Sequence, residues 1–103
     1  MNVTITARHF TLKDDMKDYM TEKCQKLGRF SERIQEVEVV LGWEKQSRYA
    51  ELKIHVPGAP LVLNESSEDL RKSFDQAIEK AERQLKRHEA RSGEVRKDSH
   101  RSA

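Results

Sequence analysis

The chain has 103 residues, with 20 Lys and Arg against 18 Asp and Glu, and a formal net charge of +2. That length holds one domain, because a second core would need roughly another 100 residues. Leu, Ile, Val and Phe make up about a fifth of the chain, just above the composition at which chains stay disordered, so a small core under a heavily charged surface is expected. No run of about 18 apolar residues is present, which excludes a membrane-spanning helix. The start lacks the basic-then-apolar pattern of an export signal. The single cysteine, Cys24, has no internal disulfide partner, so a cytoplasmic protein is expected.

Residues Asn2 to Arg8 alternate, with Val3, Ile5 and Ala7 on one side, as in a half-buried strand. Thr11-Leu12-Lys13-Asp14 reads as a helix start, with Thr11 as cap and Asp14 reaching back. Leu12, Met16, Tyr19, Met20, Leu27 and Phe30 then share one helical face, and the helix ends near Gly28. Val37, Val39, Leu41 and Trp43 alternate with polar or small partners and predict a second strand. Lys45 to Arg48 is a polar turn, and Ala50, Leu52, Ile54 and Val56 mark a third strand. Pro57-Gly58-Ala59-Pro60 is a turn. Leu61 to Asn64 gives a short fourth strand, and Ser66-Ser67-Glu68-Asp69 a second capping signal. Leu70, Phe74, Ala77, Ile78, Ala81 and Leu85 form the stripe of a long second helix. The apolar pattern stops near Ser92. A domain over residues 1–90 and a flexible tail over 91–103 are therefore expected.

The order β-α-β-β-β-α defines an α+β fold: a four-stranded mixed sheet with two parallel helices on one face. Tight turns make strands 2, 3 and 4 antiparallel, and the first helix crosses over to make strands 1 and 2 parallel. Both helices then run in the same direction, and their C-terminal ends fall at one end of the domain.

The small net charge hides a strong segregation. Residues 23–33 carry +3, from Lys23, Lys26, Arg29 and Arg33 against Glu32. Residues 80–91 carry another +3, while residues 34–79 carry −4. Both positive blocks lie at helix C-terminal ends, which the topology brings together. Complementing the helix dipole is one reason for cations there, at about 0.3–1 kcal/mol each. Phase suggests a binding edge as well: Lys80, Arg83, Arg87 and Arg91 lie within roughly 80° on one flank of the apolar stripe. Glu79–Arg83 and Glu82–Lys86 have ordinary helix-pair spacing, which suits a merely soluble helix. Lys23 falls near the centre of the first helix's apolar stripe. Either its stem snorkels to a helix–helix groove, or it marks the last, fraying turn.

A basic groove about two helices wide fits a phosphate backbone. Tyr19 and Phe30 fall in the core stripe and Trp43 on the apolar strand face, positions of packing rather than base stacking. Structured RNA is thus a better fit than single strands. No cofactor, metal or enzyme activity is expected. His9, His55, His88 and His100 share no ligand spacing with each other or with Cys24. The lone cysteine has no nearby histidine, and the four glycines form no phosphate loop.

With the first strand set aside, α-β-β-β-α repeats the double-stranded RNA-binding domain topology. With it included, the chain resembles the ribosome hibernation promoting factor and ribosome-associated inhibitor family, also called sigma-54 modulation proteins. The resemblance covers about residues 1–90. It rests on Asn2-Val3-Thr4-Ile5-Thr6, Lys26-Leu27 with Arg33-Ile34, Val37-Glu38-Val39-Val40-Leu41 with Glu44-Lys45, and Ala50 to Val56. In the second helix it rests on Asp69-Leu70, Asp75, Ile78, Lys80, Arg83-Gln84-Leu85 and Arg87-His88. It implies a short-type protein bound to the small ribosomal subunit and its rRNA, in the channel for messenger and transfer RNA. It would idle ribosomes in stationary phase or stress, and be a monomer off the ribosome. The matching RNA-contact positions are Lys23, Lys26, Arg33, Lys80, Arg83 and Arg87. Arg29 and Lys86 are basic without a clear match and rank below them. The family's older name leaves a second reading open, a protein-interaction regulator of the transcription machinery.

Overall fold

The structure, a computed structural model, describes the backbone of residues 1–102 and the side chains of residues 1–90. The elements are β1 (Asn2–Ala7), α1 (Asp14–Lys26), a 3-10 turn (Leu27–Arg29), β2 (Glu36–Glu44), β3 (Ser47–His55), β4 (Leu61–Ser67) and α2 (Leu70–Ser102). The sheet order is β1-β2-β3-β4, with β1 parallel to β2 and the other pairs antiparallel. The expected fold class is the observed one. The expected tail, residues 91–103, lies outside the residues whose side chains are described.

Alternation places the core. Val37, Val39 and Leu41 of β2 and Ala50, Leu52 and Ile54 of β3 are all buried, on the face that the helices cover. Met20, Cys24 and Leu27 come down from the first helical segment, and Phe74, Ala77, Ile78, Ala81 and Leu85 from α2. α1 packs on β1, and α2 on β3 and β4. Contacts between the helices advance in step along the chain: Tyr19 meets Asp75, and Ser31 meets Glu89. The helices are therefore parallel, and their later turns lie side by side. Burial pushes the Cys24 thiol up to about 12, so at neutral pH it is a protonated core group rather than a nucleophile.

Three local expectations need correction. Thr11 does not cap α1. Leu12 is drawn against the core, the chain stays extended through Lys13, and the N-cap carries no side-chain bond. Asp14 and Asp15 supply the first-turn negative charge instead. Strand β4 runs three residues further than expected, to Ser67, because Arg48, Tyr49 and Ala50 of β3 pair with Ser67, Ser66 and Glu65. The α2 start is then held by Asp69, whose carboxylate accepts from the Arg71 amide at 3.1 Å. Trp43 is not core packing. It lies two residues before the hairpin turn at Lys45-Gln46, beyond the last core residue of β2, and is 58% exposed.

Candidate nucleic-acid interface

Among the described residues, the helix-bearing face carries three groups of cations. The first is centred on Tyr19, at the junction of the helices. Its hydroxyl donates to Asp75 at 2.7 Å. Its ring lies 5.7 Å from the Lys23 ammonium and 4.2 Å from the Arg71 guanidinium. Burial, and then the bond to Asp75, raise the Tyr19 phenol above its ordinary value, so the hydroxyl stays protonated. Lys23 is half-buried with its ammonium over this ring. Of the two readings of Lys23, the snorkelling one describes the structure.

The second group sits at the end of the first helical segment. Arg29, Phe30, Ser31, Glu32, Arg33 and Glu89 surround a hollow of about 350 Å³. Ser31 donates to Glu89 at 2.5 Å and accepts from the Arg33 amide at 3.2 Å. The Lys86 ammonium stands 5.3 Å from the Phe30 ring centroid. These contacts join the two positive blocks across the groove.

The third group is on the far flank of α2. Lys80 turns towards β4 and pairs with Glu65 at 3.0 Å. Arg87 lines a hollow of about 260 Å³ with Leu61, Gln84 and His88, also on the β4 side. Arg83 is exposed. The six sequence-derived positions therefore do not line one groove. Lys23 and Arg33 lie at the helix–helix junction, while Lys80 and Arg87 face away from it. Lys26 is exposed and, among the described residues, pairs with Glu22 alone, at 3.5 Å one turn earlier, an interaction worth little. An anion reaching Lys80 must compete with Glu65.

The structure also places three further cations on this face: Arg29 and Lys86, ranked lower from sequence, and Arg71, not singled out there. The available signal was helical phase. Arg71, Asp75, Lys86 and Glu89 share the flank that faces α1, and that flank is mixed in sign.

The opposite sheet face has a different character. Thr4 donates to Glu36 at 3.4 Å, and the His55 ring nitrogen and the Glu38 carboxylate are hydrogen-bonded at 2.5 Å. Glu36, Glu38 and His55 bring donor atoms within 4.8 Å of one another. Weighing histidines only against each other and Cys24 overlooks this trio, because its members are cross-strand neighbours. The bond from His55 is the main cause that holds the Glu38 carboxyl below its usual range, with desolvation opposing it. A carboxyl with a depressed folded value stabilises above the unfolded value and loses that contribution as pH falls through the folded one. In acid titrations of the melting temperature, Glu38→Gln should therefore flatten the loss of stability below pH 4.5. Equal slopes for the two proteins would exclude this pair as a source of acid sensitivity.

A mixed sheet with two parallel helices on one face defines a double-stranded-RNA-binding-domain-like topology with an added N-terminal strand. Residues 3–92 match the family described as Sigma 54 modulation protein / S30EA ribosomal protein, and the chain belongs to that family. It is 35% identical over 88 residues to the ribosome hibernation promoting factor of Azotobacter vinelandii, covering 85% of this chain and 82% of that protein. The crystal structure of the Thermus thermophilus Protein Y N-terminal domain superposes with a TM-score of 0.78 at 28% identity, over 85% of this chain and 99% of that one. A ribosomal subunit interface protein from Coxiella burnetii shares the fold, with a TM-score of 0.77 at 19% identity over 87% and 99% of the two chains.

Proposed function

We propose that this chain is a cytoplasmic, ribosome-associated translation inhibitor. It occupies the messenger and transfer RNA channel of the small subunit, idles ribosomes in stationary phase or stress, and modulates their pairing. Residues 1–90 carry this role, and Lys23, Lys26, Arg33, Lys80, Arg83 and Arg87 contact rRNA, joined by Arg29, Arg71 and Lys86. The observation that carries the reading is the cation-bearing helix face on a chain related to proteins named ribosome hibernation promoting factors. The half-buried rings on that face have cations over them, Tyr19 with Lys23 and Arg71 and Phe30 with Lys86. Those rings are poorly placed for base stacking, which favours the phosphates of structured RNA. Inhibition is by occupancy and needs no chemical step. Among the described residues, no helix is long and apolar enough to cross a membrane.

A sucrose gradient of ribosomes with added protein tests this. The protein should travel with small subunits and whole ribosomes, leave them as salt rises, and change the share of paired ribosomes. Protein that stays at the top of the gradient at low salt would contradict the reading and favour a regulator of the transcription machinery.

A further inference from the structure

The face of the sheet away from the helices presents a second surface that the RNA-binding reading does not use. Strand parity puts Glu36, Glu38 and Glu44 of β2 and Glu51 of β3 on this face, against Arg8 and Lys53. Two of these carboxylates, Glu44 and Glu51, line a hollow of about 590 Å³ together with Arg8, Trp43, Tyr49 and Asn64.

The floor of the hollow is aromatic for a reason in the backbone. Gly42 pairs directly with Tyr49, and a Cβ at Gly42 would come within 2.5 Å of the Tyr49 ring and hydroxyl. The glycine thus lets the ring lie over β2, on the solvent side of the sheet. Trp43 stands beside it, with its ring centroid 5.6 Å from that of Phe10 and their planes 22° apart. The Arg48 guanidinium lies 4.0 Å from the Trp43 ring centroid. Arg8 donates to the Tyr49 hydroxyl at 3.5 Å. Arg8 thus already holds the Tyr49 hydroxyl at the rim of this hollow, while parity directs Arg48, stacked on Trp43, to the other side of the sheet.

We infer that this hollow docks an extended, arginine-rich peptide tail of a protein partner. A guanidinium entering it meets the Tyr49 face for stacking, the Glu44 and Glu51 carboxylates for charge-assisted bonds, and Asn64 for a neutral one. Charge complementarity selects this occupant over RNA, because the described lining holds two carboxylates, Glu44 and Glu51, against the single cation Arg8, a balance that disfavours a phosphate backbone. The molecule is divided in two: cations on the helix side for a polyanion, carboxylates and aromatics on the sheet side for a polycation. Both could be engaged at once.

Trp43 is the chain's only tryptophan, so its emission reports on this hollow directly. The experiment titrates the full chain, without ribosomes, with a short synthetic peptide of alternating arginine and glycine, and separately with an oligouridine. The peptide should change the Trp43 emission saturably, and more weakly as salt rises. It should also shift the backbone amide resonances of Tyr49 and Asn64 in the unmodified protein. The pair Glu44→Gln and Glu51→Gln should weaken peptide binding tenfold or more, while Lys80→Glu, Arg83→Glu and Arg87→Glu together should not weaken it. No saturable response to the peptide, or a response unchanged by the two glutamines, would overturn the inference. So would the same response to oligouridine, which would assign the hollow to RNA. The ribosome reading fails or stands on its gradient alone, so the two can fail separately.

Discussion

Replacing Lys80, Arg83 and Arg87 by Glu should lower the affinity for small subunits by a factor between about 100 and about 1000. Each lost charge-assisted phosphate contact is worth about 1.4 kcal/mol, which is a factor of about ten. Replacement by Ala should reduce the slope of log affinity against log salt by about 1 per contact. Arg83 and Arg87 are exposed and should carry most of the effect. Lys80 should contribute less, since its ammonium must first leave Glu65. A control at Lys53 on the open sheet face, reversed to Glu, should retain binding. Melting curves separate a binding defect from a folding defect, because Lys80→Glu also sets two carboxylates side by side. If the triple reversal leaves co-sedimentation intact, the third cation group is not part of the interface.

The largest effect on stability is expected at Phe74. It is fully buried and meets the Tyr19 ring edge-on, with centroids 6.3 Å apart and planes at 62°. Phe74→Ala should destabilise the fold by about 3–5 kcal/mol, from lost transfer energy and the cavity left behind. That is a large share of the roughly 5–15 kcal/mol available to a domain of this kind. Urea unfolding should show a lower midpoint at an unchanged slope. Val62→Ala on the open face, at a side chain that is 55% exposed, should move stability by about 0.5 kcal/mol or less. RNA binding should weaken with Phe74→Ala as well, because Phe74 supports the ring over which Lys23 and Arg71 are held. Equal losses from the two variants would contradict this account of the core.

Most of the architecture was legible in the periodicities. The alternation in β2 and β3 and the stripe from Leu70 to Leu85 mark residues that the structure buries. A periodic pattern records which side of an element is apolar, and that much is local. What lay beyond it depended on neighbours. The wheel of α2 separated Lys80 from Lys86, but only the packed sheet and α1 decide which flank faces β4 and which faces Phe30. The end of β4 was set by pairing with β3, and the start of α1 by the burial of Leu12. Trp43 continued a strand pattern past the end of the core, where alternation no longer reports burial. The Glu36, Glu38 and His55 cluster and the Tyr49 platform over Gly42 join residues from different strands, and no spacing along the chain reveals them.

The central claim is that the helix face, and not the sheet face, lies against small-subunit RNA. The most direct test tethers an iron chelate to a single introduced cysteine and maps hydroxyl-radical cuts in rRNA. Cys24 is buried with its thiol pushed up to about 12, so it leaves the introduced thiol as the reactive one. Ala90→Cys places the probe one turn beyond Arg87, at an exposed position. Lys53→Cys places it on the open sheet face. Cuts in small-subunit rRNA along the messenger and transfer RNA channel from position 90, with few from position 53, are the predicted result. Cuts from position 53 with none from position 90, on ribosomes that carry both proteins, would contradict it.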